Sequence, residues 1–155
     1  MEKYTIRNAI YEDAPILASF RLKMFQDNQS YLDPKSALEV LPFFEKSIAE
    51  SLKNGALLGW MVSCEGSPIG CGCAHYFTKL PTPENPSGKS LYILNMFTLE
   101  AHRGKGVAGL IIETIKDYAR EIGIKRVWLN TSVSGKPLYE KLGFETMDDV
   151  MEIFV

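Results

Sequence analysis

Apolar positions recur at helical spacing twice in the first half of the chain, between segments with the character of strands. Residues 4–7 predict a first strand, and residues 56–64 and 69–77 predict the two strands of a hairpin. The first helix begins in the acidic turn of residues 11–15, and Asn28 to Ser30 separates it from a second helix. The apolar positions of the helices are Ile16, Leu17, Phe20, Met24 and Phe25, then Leu38, Leu41, Phe44, Ile48 and Leu52.

Proline, glycine and polar residues indicate where the second helix begins and ends and where a hairpin strand is irregular. The second helix begins at Asp33 and Pro34 and ends at Asn54 and Gly55, and Pro42 inside it is expected to kink or divide it. In the second hairpin strand, Gly70 and Gly72 are unusual residues and indicate a close backbone approach or a bulge.

The second half of the chain predicts a strand–helix–strand unit. Residues 91–99 and 125–131 are strands, and the helix between them ends at Gly123. Such a unit has parallel strands and a right-handed crossover. Residues 80–90 form a loop that is long for a compact domain. A short helix over 135–142 and a final strand or hairpin over 144–155 complete the order β-α-α-β-β-β-α-β-α-β.

Composition limits the classes of protein to which the chain can belong. Its 155 residues suit one domain over 1–155, and a hydrophobic content of 46% is enough for a core. A net charge of −2 gives no basic surface for nucleic acid, and no apolar run reaches membrane-spanning length. The first four residues do not resemble a signal peptide. We expect no nucleic-acid and no membrane partner, and a homodimer is left open.

The three cysteines, Cys64, Cys71 and Cys73, indicate a reducing compartment. An odd number with two thiols in one strand favours reduced cysteines in the cytoplasm. Cys71 and Cys73 point to one face of that strand, but two ligands without nearby partners are a poor metal site. We therefore expect small buried apolar residues and no metal.

A glycine-rich loop, residues 103–109 (RGKGVAG), joins the strand over 91–99 to the helix that follows it. Glycines allow backbone N–H groups to converge on an anion, and the N-terminus of a helix adds a positive end. Arg103 and Lys105 add two cations. The loop therefore predicts phosphate binding.

Two other phosphate loops fit this sequence less well. Gly104, Gly106 and Gly109 match the dinucleotide pattern GxGxxG, but the next strand carries no carboxylate for a ribose. The nucleotide P-loop requires Lys-Ser/Thr after its last glycine, whereas Leu110 follows Gly109. A second candidate, Gly88-Lys89-Ser90, has Pro83 where the pattern needs glycine. A nucleotide-binding domain is therefore the weakest interpretation.

Arg103-x-x-Gly106-x-Ala108 matches the Q/R-x-x-G-x-G/A signature of the GNAT superfamily of N-acetyltransferases. Residues 95–99 resemble the central strand of that family, and residues 138–144 (LYEKLGF) resemble its LYxxxGF segment. The resemblance implies an α/β fold of the α+β three-layer type, a single-domain acyl-CoA N-acyltransferase fold whose mixed central sheet has helices on both faces. It also implies transfer of an acetyl group from acetyl-CoA, the cosubstrate, to a primary amine in a ternary complex.

The resemblance also assigns residues to the cofactor. The backbone of Met96, Phe97 and Thr98 would bind the pantetheine amides, and Ser132 stands where many relatives contact CoA, although it could equally be a helix cap. Tyr139 would be catalytic, because it would donate its proton to the departing thiolate, and a phenol with a pKa of about 10 is still a donor at neutral pH. The alternative is that Tyr139 packs beside Leu138 and Leu142. The pyrophosphate would be bound by the N–H groups of Arg103, Gly104, Lys105, Gly106, Val107, Ala108 and Gly109.

The sequence names no general base. Some relatives use a glutamate early in the central strand, where this chain has Tyr92, and a phenol is a poor base. A water chain, His75 or Glu84 stay as alternatives. The acceptor, a small-molecule or protein amine, is expected between the helices of residues 11–51 and the loop 80–90. A non-catalytic acyl-CoA-binding or sensor module is the alternative function.

Overall fold

The computed structural model describes residues 3–27 and 33–155, and their centre is one five-stranded sheet. The strands lie in chain order, and the first four are antiparallel to their neighbours, whereas β5 is parallel to β4. The parallel pair confirms the predicted strand–helix–strand unit. The strands are β1 (Tyr4–Asn8), β2 (Leu57–Cys64), β3 (Ser67–Thr78), β4 (Lys89–Thr98) and β5 (Arg126–Leu129).

Within the described residues three α-helices pack on the sheet, a short fourth helix follows β5, and a 3₁₀ turn, Tyr11–Asp13, leads into the first helix. One apolar cluster lies between the sheet and α3, and a second lies between the sheet and the pair α1 and α2. The three-layer architecture with helices on both faces is therefore confirmed. The helices are α1 (Ala14–Asp27), α2 (Pro34–Lys53), α3 (Val107–Glu121) and α4 (Lys136–Lys141).

Helix α2 is continuous through its internal proline. Asp33 is its N-cap, and the Asp33 side chain accepts hydrogen bonds from the backbone N–H groups of Lys35 (2.9 Å) and Ser36 (3.1 Å). Pro42 lies inside the helix without dividing it. The break predicted at Asn28 to Ser30 lies outside the described residues.

The two glycines inside β3 lie where no side chain fits. A Cβ on Gly72 would lie 2.4 Å from Cγ2 of Ile111 and 2.6 Å from Sδ of Met96, and one on Gly70 would lie 2.8 Å from the Phe97 carbonyl oxygen. The register between β3 and β4 also shifts at Gly72, between Cys71 and Cys73. Both the close approach and the bulge that these glycines predict are present, and α3 packs directly on β3.

The strand predicted over residues 144–155 is wrong. This segment has no regular secondary structure, and its apolar side chains after Phe144 are exposed, with Met151 97% and Phe154 88% accessible. Apolar residues form a strand only where a sheet edge pairs with them. No such pairing is made among the described residues.

None of the helices in the described part of the chain is both long and apolar enough to cross a membrane.

Candidate active site

Strands β4 and β5 pair over four residues and then separate. Residues 90–93 pair with residues 126–129, after which β4 continues to Thr98 while the chain leaves β5 as a loop. The opening is a cleft of about 700 Å³ between the end of α1, the second half of β4 and the segment that leads into α4. Beyond Ile93, the edge of β4 that faces this opening has no strand paired with it in the described sheet.

A bulge in β4 lies beside the cleft. Asn95 has a left-handed backbone (φ 55°), and its side chain donates a hydrogen bond to the Leu17 carbonyl of α1 over 3.3 Å. The Cys71 thiol donates to the Asn95 carbonyl oxygen over 3.2 Å. Since a bulge redirects the backbone groups of its strand, these contacts determine how β4 presents its edge to the cleft.

The glycine-rich loop turns into α3 through two left-handed glycines. Gly104 (φ 72°) and Gly106 (φ 86°) are left-handed, and no atom lies within 4 Å of the position of a Cβ on either residue. Gly106 is the N-cap of α3 and has no side chain that could accept a hydrogen bond from the first N–H groups of the helix. These N–H groups have no carbonyl partner within the helix, because no helical turn precedes them. Val107 is 2% exposed and belongs to the apolar cluster between the sheet and α3.

Arg103 lies between this loop and the cleft, and its side chain contacts protein. Nε donates to the Thr98 carbonyl oxygen over 2.9 Å, and the guanidinium forms an ion pair with Asp27 at the end of α1. It also lies 5.7 Å from the centre of the Phe97 ring. Arg103, which the sequence predicts as a cation of the phosphate loop, therefore joins α1 to the end of β4. Its partner Asp27 was not identified from the sequence.

Tyr139 reaches the cleft from α4. It lines the cleft, and the edge of its ring meets Phe144 at a centroid distance of 5.7 Å. Burial raises the pKa of Tyr139 above its usual value, because the ionised phenol would be poorly solvated there. The side chain is therefore a protonated donor at neutral pH, and its role in catalysis stays a prediction.

Ser132 lines the same side of the cleft as Tyr139 and also fixes the start of α4. Its hydroxyl accepts a hydrogen bond from the Gly135 N–H over 3.2 Å and lies 3.2 Å from the Ser134 hydroxyl. A Cβ on Gly135 would lie only 3.0 Å from Oγ1 of Thr131. A side chain at position 135 would crowd this turn, which favours glycine. The sequence signal for the turn was a glycine directly before a short helix that contains proline.

Six of the residues predicted from the sequence line one cleft, and the others are adjacent to it. Residues 104–109 do not line it but follow Arg103 directly into α3. The wall formed by α1 belongs to the helices expected to hold the acceptor, but sequence reasoning assigned none of its individual residues, nor the residue after β5, to the site. The six are Met96, Phe97, Thr98, Arg103, Ser132 and Tyr139, and the missed residues are Arg21, Met24, Phe25, Asp27 and Asn130.

The two side chains considered as bases do not line this cleft. Nδ1 of His75 donates to the Ala56 carbonyl oxygen over 3.1 Å, on the far side of β3. Glu84 belongs to the loop 80–90, which is closed by the Lys79 N–H donating to the Gly88 carbonyl (2.9 Å) and lies outside the cleft walls. Tyr92 does line the cleft, and its hydroxyl accepts a hydrogen bond from the Asn130 side chain over 3.2 Å.

Comparison with known proteins identifies the family. The profile of the acetyltransferase (GNAT) family matches residues 20–144, and the chain belongs to this family. It is 31% identical over 145 residues to the uncharacterized N-acetyltransferase YhfO of Bacillus subtilis (strain 168), covering 90% of this chain and 89% of that protein. It is 35% identical over 92 residues to the uncharacterized N-acetyltransferase YjgM of Escherichia coli (strain K12), covering 57% of this chain and 52% of that protein.

Similarity to solved structures confirms the fold. A predicted acetyltransferase from Clostridium acetobutylicum, crystallised with acetyl-CoA, superposes with a TM-score of 0.87 at 25% identity, over 98% of this chain and 96% of that one. The alignments to the first three curated relatives span only 35%, 52% and 43% of those proteins.

Among the described residues, no group of three or more His, Cys, Asp or Glu side chains is arranged to hold a metal ion.

Proposed function

We propose that the chain transfers the acetyl group of acetyl-CoA to a primary amine by direct attack while both substrates are bound. The observation that carries this proposal is the opening between β4 and β5, with the glycine-rich loop at one end and Tyr139 in its wall. Acetyl-CoA supplies an acetyl group already activated as a thioester. The protein therefore has to bind, orient and manage protons, and orientation supplies most of the rate.

The residues around the opening fit the cosubstrate. The N–H groups of residues 104–109 and the N-terminus of α3 would bind the pyrophosphate. The unpaired edge of Met96 and Phe97 would bind the extended pantetheine arm as an added strand. Ser132 would contact it from the other wall. The Thr98 carbonyl oxygen already accepts a hydrogen bond from Arg103. Thr98 would therefore bind the pantetheine arm through its backbone N–H or through the second lone pair of that oxygen.

Tyr139 would supply the proton for the leaving sulfur. The raised pKa keeps its hydroxyl protonated across the neutral range, so it can donate a hydrogen bond to the sulfur and then its proton. Water in the open cleft would take the proton that the amine must lose. In the balanced reaction, the amine nitrogen forms a bond to the acetyl carbon, the carbon–sulfur bond breaks, and coenzyme A leaves as a thiol.

The test is an amine screen with two readouts. Purified protein is incubated with acetyl-CoA and single amines: amino acids, polyamines, an amino sugar, and peptides with a free N-terminus or lysine. Thiol release and the acetylated product are both measured, and a sample without amine gives background hydrolysis. We expect amine-dependent thiol release matched by product. Binding of CoA without any product across the panel would contradict the proposal.

One observation favours the alternative of a non-catalytic acyl-CoA-binding or sensor module. Among the described residues that line the cleft, Asp27 is the single carboxylate, and it is bound to Arg103. A site without an available base suits binding better than turnover. The same screen separates the two functions, because a sensor would retain acetyl-CoA and release no thiol.

We also propose that the protein works in the cytoplasm. Cys64, Cys71 and Cys73 are free thiols and all are buried. Burial raises the pKa of Cys73 to about 12, so this thiol is unreactive at neutral pH. Three unpaired thiols suit a reducing compartment.

A further inference from the structure

Arg21 is a half-buried cation in the wall of the cleft, and its charge has no partner among the residues that the structure describes. It lies on α1, and its guanidinium is 5.1 Å from the centre of the Phe25 ring and 5.4 Å from that of Phe44. It makes no hydrogen bond or ion pair with any residue in the ranges 3–27 and 33–155. Burial lowers the pKa of Arg21, which reflects the cost of removing its charge from water.

Three of the other four arginines are paired with carboxylates, whereas the Arg126 guanidinium lies 5.1 Å from the centre of the Trp128 ring and donates to Sδ of Met147 over 3.8 Å. The Arg7 guanidinium binds Asp13 at 2.7 and 2.8 Å, Arg103 is paired with Asp27, and Arg120 binds Asp117. Two of these three pairs lie on the exposed surface, where pairing contributes little. Arg21 differs from these three arginines, because its guanidinium lines the cleft, lies against aromatic rings and has no acceptor among the described residues for its five N–H donors.

The position of Arg21 corresponds to the acceptor end of the cleft. The glycine-rich loop follows the C-terminal end of β4, so an extended arm that begins there and follows Thr98, Phe97 and Met96 brings its reactive end towards Asn95. Tyr92 lies beyond that point on the same strand and also lines the cleft. Arg21 lies close enough to Tyr92 for the two side chains to interact electrostatically.

The surroundings of Arg21 suit a ligand that is anionic at one point and apolar elsewhere. Met24 and Phe25 line the cleft beside it, and Tyr92 packs on Trp128 with ring centroids 4.5 Å apart. The carboxylate of Asp27 also lies in this wall, and it already forms an ion pair with Arg103. An incoming carboxylate therefore meets an available guanidinium and no available like charge among the described wall residues.

We propose that Arg21 binds a carboxylate of the amine acceptor, so that the substrates are amino acids or other amines that carry an acid group. This inference rests on the proposed acetyl transfer. A guanidinium presents two parallel N–H donors that match the two oxygens of a carboxylate. Such a bond would fix the amine at a set distance from the acid group. Phosphate and sulfonate share this chemistry, and the experiment separates them from carboxylate.

The test uses matched amines. Phenylalanine is compared with phenylalaninamide and phenethylamine, which keep the amine and ring but lack the negative charge, and β-alanine is compared with taurine and aminoethyl phosphate. For the wild type we expect kcat/KM to be at least tenfold higher for the carboxylates than for their neutral counterparts. In Arg21→Gln we expect kcat/KM for carboxylates to fall by about 10–100-fold, the range of a lost charge-assisted hydrogen bond, while neutral amines change less than threefold.

Three controls make the result specific to Arg21. CoA affinity by calorimetry should be unchanged in Arg21→Gln, and Arg21→Lys should recover part of the carboxylate preference. Arg120→Gln removes an exposed arginine that lies outside the cleft and should leave all rates unchanged. Thermal unfolding shows whether each variant is folded, and Arg21→Met is the second variant if Arg21→Gln is not.

The outcomes separate this inference from the proposed function. Equal wild-type rates for acids and neutral amines, a preference for taurine or aminoethyl phosphate over β-alanine, or an equal loss for acids and neutral amines in Arg21→Gln would overturn the carboxylate assignment and leave acetyl transfer intact. If no amine releases thiol, acetyl transfer fails. Calorimetry of phenylalanine and phenylalaninamide with the CoA-bound protein then decides the role of Arg21, because selective binding of the acid that Arg21→Gln loses supports it.

Discussion

The side-chain amide of Asn95 donates a hydrogen bond to the Leu17 carbonyl oxygen, 3.3 Å away, and so connects the bulge of β4 to α1. The residues are far apart in sequence, and Asn95 is 5% exposed. Its left-handed backbone is one that asparagine tolerates better than most residues. The bulge is thus stabilised by a long-range contact and by a local conformational preference.

These two contributions can be separated by a pair of substitutions. Asn95→Gly removes the hydrogen bond but keeps the left-handed backbone accessible, and it should lower the free energy of unfolding by about 1 kcal/mol. Asn95→Ala removes both and should be about 1 kcal/mol less stable than Asn95→Gly. Urea unfolding measures both values. Equal stability of the two variants would show that the bulge does not require a left-handed residue.

The glycine-rich loop should lose coenzyme A when its backbone is covered. In Gly106→Trp the bulky side chain lies over the amides at the start of α3, and we expect no measurable CoA binding by calorimetry in a folded protein. Gly123→Trp is the matched control, because Gly123 is also left-handed (φ 73°) with open space around its Cβ position, at the other end of α3. It should carry a similar backbone strain and keep wild-type affinity. Unchanged CoA affinity in a folded Gly106→Trp protein would exclude this loop as the pyrophosphate site.

Tyr139→Phe should lower turnover without weakening CoA binding. The substitution removes the proton donor and little packing volume, so we expect kcat to fall by about 10²–10⁴-fold with an accepted amine. Because burial raises the pKa of Tyr139, ionisation of this group should not reduce wild-type kcat below about pH 10, the ordinary pKa of a phenol. Rates measured across pH test both statements.

Tyr118→Phe provides the control for that substitution. Tyr118 lies on α3 and its hydroxyl is hydrogen-bonded to that of Tyr76, and neither residue lines the cleft. We expect wild-type kcat in this variant. If Tyr139→Phe also turns over at the wild-type rate when chemistry limits the rate, Tyr139 is a packing residue.

The Arg7–Asp13 pair should make stability sensitive to acid. Asp13 accepts two hydrogen bonds from Arg7 and one from the Ile10 N–H (2.8 Å), and the bonds from Arg7 are the main reason that its pKa is lowered. The stabilisation is complete above the unfolded-state pKa of about 3.9 and is lost as the pH falls through the lower folded-state pKa. Asp13→Asn should therefore cost about 2 kcal/mol at pH 7 and little near pH 2.

Asp117→Asn is the comparison for this prediction. Asp117 pairs with Arg120 on the surface of α3, with side chains 74% and 62% exposed. Its loss should change the free energy of unfolding by less than about 1 kcal/mol at any pH. Urea titrations at several pH values give both profiles, and a pH-independent effect of Asp13→Asn would contradict the assignment.

The sequence by itself determined the elements and the loop that defines the family. Apolar spacing places α1, α2 and α3, because a helix must bury one face whatever it packs against. Gly70 and Gly72 predicted a close approach, since only a very near neighbour makes a missing side chain useful in a strand. The glycine-rich loop and the LYEKLGF segment are local patterns, and their resemblance to one family could be recognised without coordinates.

Only the tertiary structure decided which side chains share the cleft. Arg103 binds Asp27, and Arg21 enters the wall with no charge partner among the described residues, because α1 runs along β4 and no local pattern records that packing. Residues 144–155 were predicted as a final strand or hairpin, but a strand also needs a paired edge, which is a property of the assembled sheet. Local rules therefore fixed the elements and the family loop, whereas contacts between residues distant in sequence fixed the charges and walls that would select a substrate.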